Sequence, residues 1–487
     1  MVFPIAGGTQ DTGYEISNSL RFNDGDSANL SRSISSSGSN TNASISFWLK
    51  RGTAFGSQQI LFTNTKTDYY FRVALDSSAR LEIIDVTNGS VSGKRVTNRL
   101  FRDSSAFYHI FIGVDGGQGT EENRVKVYIN GVAETSWSSE TAWQSTFQMN
   151  ADDLTHYVGQ RGDSNQYFDG YMSEFNYVDG TTKAYTDFGE FNDNGVWIPK
   201  KYTGSYGTNG FFLEFQQTGT SQNSSGIGAD TSGNDNHFAV SNLAAIDVTT
   251  DTPTNNFNTL NPLVPHNSIF DEETQGNTGL SSSGVQLRGG YMGSTIMPTS
   301  GKWYFEVKIV TITNSTDRTG IAIPRFDSVT GVDHIEGGDY AGLTLSTGAT
   351  GRVFVTEGSS TTETDNSDYV FSNDDIAIFA VDMDASTPRV YVGKNGTWFT
   401  TSAGSGGNPA TNTGYFEANL NTGGSGFSVG ARHSAGASAA QSYLYNFGQP
   451  AYTISSGNSD ANGYGNFEYA VPSGYYSICT KNLAEFG

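Results

Sequence analysis

The chain has 487 residues, 59 of them Gly, with 13% aromatic residues, 16% charged residues and a formal net charge of −22. Average domains carry about 25% charged residues, so Ser, Thr and Asn cover this surface; that mixture suits short strands and tight turns and excludes helical bundles, which draw on Ala, Leu, Glu and Lys. The excess of 49 acidic over 27 basic residues repels phosphate backbones and anionic membranes, which disfavours nucleic acid as a partner, and no apolar run approaches the roughly 18 residues of a membrane span.

Residues 1–20 are polar and Gly/Ser-rich and read as an N-terminal arm. Strand patterns follow at once. Ser44-Ile-Ser-Phe-Trp-Leu-Lys50 places Ile45, Phe47 and Leu49 on one face, Leu81–Val86 follows, and Tyr108–Val114 aligns Ile110, Ile112 and Val114. Alternation with a period of two gives a strand with one buried face. Val125, Val127 and Ile129 form the next inward face and end at Asn130-Gly131, a pair that tolerates the positive φ of a type I′ hairpin turn. Residues 155–179 read as two strands around a polar loop, 182–189 as a short helix capped by Thr182, and Gly210–Phe215 as another strand.

The stretch 219–268 is dominated by Ser, Asn, Asp and Gly and holds Pro253, Pro262 and Pro265; it reads as an extended linker or strap. The pattern then restarts. Trp303, Phe305, Val307 and Ile309 alternate inward; Asp375–Asp382 is apolar on both faces and so reads as a central, doubly covered strand. Arg389–Trp398 repeats the earlier hairpin pattern, with Asn395-Gly396 at its turn, and Gly426–Gly430 and Tyr443–Phe447 follow. The reading is all-β: two tandem antiparallel β-sandwich (jelly-roll) domains at 21–218 and 269–487, joined by an extended polar linker at 219–268.

Few residues offer chemistry. Cys479 stands alone, so no intrachain disulfide or cysteine-based zinc site can form. His109, His156, His237, His266, His334 and His433 are scattered without ligand spacing. Glu82 and Glu306 are single acids in alternating strands and read as solvent-facing, whereas Asp382 and Asp384 sit at i, i+2 where a strand meets a turn. A glycosidase needs two carboxyl groups flanking one bond, and no central strand supplies such a pair; the chain reads as non-enzymatic. Asp230-Thr-Ser-Gly-Asn-Asp-Asn236 gathers oxygen ligands around a glycine, as flexible calcium loops do. Asp230, Asn234, Asp235 and Asn236 are its candidate calcium ligands, with a self-closed Asx-turn loop as the alternative. Arg161-Gly162-Asp163 is an integrin-type tripeptide expected by chance in a Gly-rich loop. The clusters Tyr69-Tyr70-Phe71, Tyr202–Tyr206 and Tyr475-Tyr476 suit either sugar stacking or burial.

Ser44–Arg51, Tyr108–Val114, Val125–Gly131 and Phe168-Asp-Gly-Tyr-Met-Ser-Glu-Phe175 resemble the concanavalin A-like, laminin-G-like jelly roll. Gly301–Val307, Asp375–Asp382, Val390–Gly396 and Tyr445-Asn-Phe-Gly-Gln449 resemble a SPRY (B30.2)-like sandwich. The whole arrangement, through Ser19–Asp24, Asp230–Phe238, Asp251–Phe257 and Cys479–Leu483, is similar to virion structural proteins of tailed marine phages of cyanobacteria. Laminin-G-like relatives carry similar Asp-Ser-Gly-Asn loops, some of which bind calcium. The resemblance implies a virion surface protein of the tail-fibre or attachment type, made in a host cytoplasm without a signal peptide. Its partners would be other virion proteins and a host cell-surface polysaccharide, and it would form a homo-oligomer such as a trimer. Three rival readings are a passive capsid or tail decoration (knob) protein, more weakly a polysaccharide depolymerase, and a cellular adhesin unrelated to phage, against which the lack of a signal-peptide pattern counts.

Overall fold

A computed structural model describes residues 13–52, 56–163, 165–262, 272–282, 289–292, 298–312, 318–322, 340–346, 351–358, 360–365, 369–401, 405–420, 427–433 and 440–487. These divide between two compact units, with the boundary at Thr254/Asn255.

In the first unit, one sheet runs in the order Val132–Ala133, Val125–Ile129, Tyr108–Asp115, Asn42–Arg51, Gly170–Asp179, Ser19–Phe22 and Val248–Thr249, with Phe211–Leu213 also on Gly170–Asp179. The other runs Trp137–Thr141, Ser90–Leu100, Arg80–Thr87, Tyr69–Leu75, Gln59–Lys66, Thr155–Val158, Asn29–Ser33 and Ala239–Ser241. All their pairings are antiparallel. The inward residues meet in one core: Ile45, Phe47 and Leu49 from one sheet face Phe62, Phe71 and Val73 from the other, and all are fully buried. Period-two alternation thus produces a two-layer sandwich, because each sheet has one apolar face that only the other can cover.

The polar stretch 219–268 is shared between the units. Ala239–Ser241 pairs with Asn29–Ser33, and Val248–Thr249 pairs with Ser19–Phe22. Ile227, Phe238 and Leu243 enter the first core. Beyond the boundary, Phe257 bridges to Cys479 and Leu260 enters the second core; residues 263–268, like 1–12 of the expected arm, lie outside the described residues. A few isolated apolar side chains anchor this chain, too irregularly spaced to give a periodic signal. Within the expected arm, Ser19 and Leu20 already belong to a strand. The expected helix at 182–189 is a single 3₁₀ turn, Tyr185–Asp187. Tyr185 and Phe188 pack onto the aromatics of the first sheet's outer face, and Thr182, rather than capping, donates its hydroxyl to the Val114 carbonyl.

In the second unit, one sheet orders Glu272–Thr274, Gly279–Ser282, Gln441–Asn446, Lys302–Thr311, Ile376–Asp382, Arg389–Lys394 and Thr397–Trp398. The other orders Gly289–Met292, Ser428–His433, Arg318–Ala322, Tyr340–Ser346, Arg352–Gly358 and Ser360–Asp365. Ile376–Asp382 is buried along its whole length. Ala377, Phe379 and Val381 face the core, while Ile376, Ile378 and Ala380 lie under a second apolar layer with Tyr304, Tyr452 and Phe467. The final residues Thr480–Phe486 form a helix.

Candidate functional site

The outer face of the first unit's second sheet gathers rings and charges. Phe71, Val73 and Leu75 turn into the core, so Tyr70, Arg72 and Ala74 point outward. Register carries a row across the sheet: Ser31, Tyr157, Thr63, Arg72, Ile84 and Lys94 lie side by side. Tyr70 and Tyr157 are half-buried on that face. Glu82, expected to face solvent alone, instead anchors a network: Arg72 Nη2 lies at 2.7 Å, Lys94 Nζ at 3.6 Å, and Gln58 Nε2 donates at 2.8 Å. The Arg72 guanidinium also sits 5.3 Å from the Tyr70 ring centroid.

Gly162 carries the loop after Thr155–Val158 close over this face. Its φ is +97°, and a Cβ there would meet Thr65 Cγ2 at 2.5 Å and Tyr157 Cε2 at 2.9 Å, so the approach requires glycine. The neighbouring Arg161 and Asp163 bind each other, with Nε 3.0 Å from both carboxylate oxygens, so the tripeptide is satisfied internally. Two half-buried rings beside the buried Arg72 and Glu82 and the half-buried Lys94 bring apolar faces and directed hydrogen bonds together. Sugar rings offer the complement: an apolar C–H face and a belt of hydroxyls.

The Asp230 loop is closed on itself. Asp230 Oδ1 accepts the N–H groups of Phe212 and Ser232, both at 2.9 Å; Oδ2 accepts the Ser232 hydroxyl at 2.9 Å and the Asn236 N–H at 2.8 Å. The Asn234 amide donates to the carbonyls of Gly207 and Gly210, and that of Asn236 to those of Thr208 and Gly210. Asn236 Oδ1 accepts from the Arg32 guanidinium. Asp235 points out to solvent, 3.6 Å from His237 Nε2. With the Asp230 and Asn236 oxygens committed to donors, an arginine beside them and Asp235 turned out to solvent, these residues as arranged do not fit a calcium ion. Among the described residues no three His, Cys, Asp or Glu side chains gather as metal ligands.

The other candidates are dispersed. His109 and His156 are fully buried, and burial pushes both down to about 3; His266 and His334 lie outside the described residues. Asp382 pairs with Lys302 at 2.9 Å and accepts the Asp384 N–H, while Asp384 accepts the Gly301 N–H at 2.8 Å. Tyr202 stacks on Phe188, Tyr206 donates to Asn176, Tyr475 is buried and Tyr476 stacks on Phe486.

Glu306, expected at the surface, is fully buried. Its carboxylate accepts from the Tyr304 and Tyr452 hydroxyls, the Asn446 amide and the N–H groups of Glu468 and Tyr469. Glu174 gave no sequence signal. It occupies a β-bulge between Ser173 and Asn176 with φ 50°, accepts the Tyr14 hydroxyl at 3.0 Å, and is pushed up to about 8 chiefly by burial.

Both units are thus antiparallel sandwiches, and the first carries a concanavalin A-like domain: residues 22–184 match the Laminin_G_3 family model, described as the concanavalin A-like lectin/glucanases superfamily. Similar solved structures include a heptameric SAP-like pentraxin from Limulus polyphemus (13% identity, 35% of this chain and 80% of that one, TM-score 0.26). The SPRY domain of human HERC1 matches at 17% identity over 34% of this chain and 87% of its own (TM-score 0.24). Domains LG4-5 of the mouse laminin alpha1 chain match at 8% identity over 97% of this chain and 90% of theirs (TM-score 0.28). No curated protein sequence matches the chain.

Proposed function

We propose that this chain is a non-enzymatic surface protein of a tailed phage virion, of the tail-fibre or attachment type, whose first sandwich contacts a host cell-surface polysaccharide. The observation that carries the binding role is the Tyr70, Tyr157, Arg72, Glu82 and Lys94 face. It joins stacking surface to oriented polar groups on rigid strands, which suits recognition without chemistry. The virion setting rests on the short stretches named above, such as Asp230–Phe238 and Cys479–Leu483, and other virion proteins and copies of this chain are its further partners.

The test measures retention of the full chain on immobilised bacterial surface polysaccharides, beside immunogold labelling of purified particles. Tyr70→Ala and Tyr157→Ala should each weaken binding by about tenfold, as truncating an aromatic contact residue commonly does, without lowering the melting temperature. Unchanged retention in both variants overturns the assignment of this face. Particles that carry label while the chain binds no glycan would make it a decoration protein instead.

A further inference from the structure

The first sheet of the same unit has a separate cavity on its outer side, of about 220 Å³. That is below the roughly 300–1,000 Å³ of pockets for drug-sized ligands, and so suits one monosaccharide ring. Its floor is the buried Phe111 and the bare Gly113. A Cβ on Gly113 would sit 3.2 Å from the Phe111 ring and 3.3 Å from Thr182 Cγ2, so glycine keeps the floor open. One wall is the stacked pair Tyr128 and Tyr185, with ring centroids 4.0 Å apart.

The charges single this cavity out. Within the first unit Lys50, Lys66, Lys94, Lys200 and Lys201 each lie within ion-pair distance of a carboxylate. Among the described residues Lys126 and Lys183 have no such ion pair, and both line the cavity. Lys183 Nζ lies 5.9 Å from the Tyr202 ring centroid. The one lining carboxylate, Asp115, already accepts from Gln118, Asn42 and Gly117; those donors, with the charge of Lys126, hold it below the usual carboxylate range. The lining thus sets two ammonium groups against one carboxylate, a positive balance on a chain of charge −22 that suits an anion, and the adjacent rings suit a sugar.

We infer that this cavity binds a carboxylated monosaccharide. Lys126 and Lys183 take the carboxylate, and Tyr128 and Tyr185 pack against the ring's C–H face. This site is distinct from the Tyr70–Tyr157 face, and the inference does not rest on that one.

The experiment is calorimetric titration of the full chain with D-galacturonate, D-galactose and inorganic phosphate. Galacturonate should bind with an affinity that falls as salt is raised, and galactose and phosphate at least about tenfold more weakly, because each lacks half of the recognition. The double variant Lys126→Ala/Lys183→Ala should lose about tenfold or more in galacturonate affinity. Lys126→Gln/Lys183→Gln, which keeps the side-chain stems, should lose the same, and Tyr70→Ala should lose nothing. Equal binding of galactose and galacturonate, phosphate binding as tightly as galacturonate, no galacturonate binding, or lysine variants that bind like the parent would each overturn the inference. Loss of galacturonate binding in Tyr70→Ala alone would move the site to the other face and overturn it too.

Discussion

Glu306→Gln probes the second unit most directly. Oε1 accepts from the Tyr304 hydroxyl at 2.9 Å and the Tyr469 N–H at 2.9 Å; Oε2 accepts from Tyr452 at 3.0 Å, Asn446 at 3.2 Å and the Glu468 N–H at 3.1 Å. Glutamine keeps one oxygen and puts an NH₂ where the other stood. Tyrosine hydroxyls can rotate to accept from it, but a backbone N–H cannot. Whichever way the amide is turned, one N–H of Glu468 or Tyr469 loses its acceptor in a buried site, at a cost of about 1–3 kcal/mol. The surviving bonds lose charge assistance, which roughly halves their strength. The sum is about 3 kcal/mol, or about 6–12 °C in the melting temperature of a unit this size. Differential scanning calorimetry of the full chain, with near-ultraviolet circular dichroism following the tyrosines, measures it. Burial pushes the Glu306 carboxyl upward while these donors oppose the rise. If the group were already protonated in the folded chain, glutamine would mimic it and the transition would not move. An unchanged melting temperature therefore refutes the carboxylate network.

Three further outcomes follow from the same physics. His109 and His156 are held near 3 by burial against an ordinary 6.5, so only the unfolded chain takes up their protons; first-unit stability should fall as pH drops below about 6.5, by about 1.4 kcal/mol per unit for each histidine. Flat urea midpoints between pH 7 and pH 5 would refute this. Glu174, raised to about 8, acts oppositely: its contribution is full below the ordinary carboxyl range and is lost as pH rises toward 8. Glu174→Gln should then gain stability relative to the parent at pH 8 and not at pH 4, read from urea midpoints; an equal change at both would refute the burial argument. Gly131→Ala and Gly396→Ala should each cost about 2–4 kcal/mol in denaturant titrations, from left-handed strain plus overpacking; a loss under about 1 kcal/mol would show that the covering ring simply moves aside.

Strand identity was legible because alternation reports which face is buried: Ile45, Phe47 and Leu49, and Trp303, Phe305, Val307 and Ile309, are all core residues. What alternation cannot report is whether a sheet's other face is also covered. Glu82 and Glu306 occupy outward positions and read as solvated, yet one lies in an ion network and the other under a distant segment, Tyr452–Tyr469. Glu306 depends on partners far away in the chain, whereas Glu82 meets Arg72 and Lys94 from the neighbouring strands. The Tyr70 and Tyr157 face was half-visible: the tyrosine cluster stands out in the sequence, but its alignment with Arg72, Glu82 and Lys94 depends on register. Glu174 was invisible, because a bulge inserts a residue without any compositional mark.

The recurring Asn-Gly pattern does more than close two hairpins. Asn130 Oδ1 accepts the His109 N–H at 2.7 Å, and the Asn130 N–H donates to the His109 carbonyl at 2.9 Å. Asn395 makes the same pair with Ile376, at 2.8 Å and 2.9 Å. In each unit the turn therefore satisfies the neighbouring strand at its edge. The glycines do matching work: a Cβ on Gly131 would strike Trp197 at 2.2 Å, and one on Gly396 would strike Tyr469 at 2.6 Å. Each ring arrives from a later segment that covers the outside of its sheet, through Trp197 with Trp48 in one unit and Tyr469 with Tyr304 in the other. The asparagine permits left-handed φ and supplies the strand-end acceptor; the glycine permits left-handed φ and leaves room for a ring. Asn-Gly meets all four demands at once, as few other dipeptides do. Two sandwiches with different strand orders therefore need no common ancestor to share the pattern: a β-hairpin whose turn lies beneath a covering segment is sufficient to demand it.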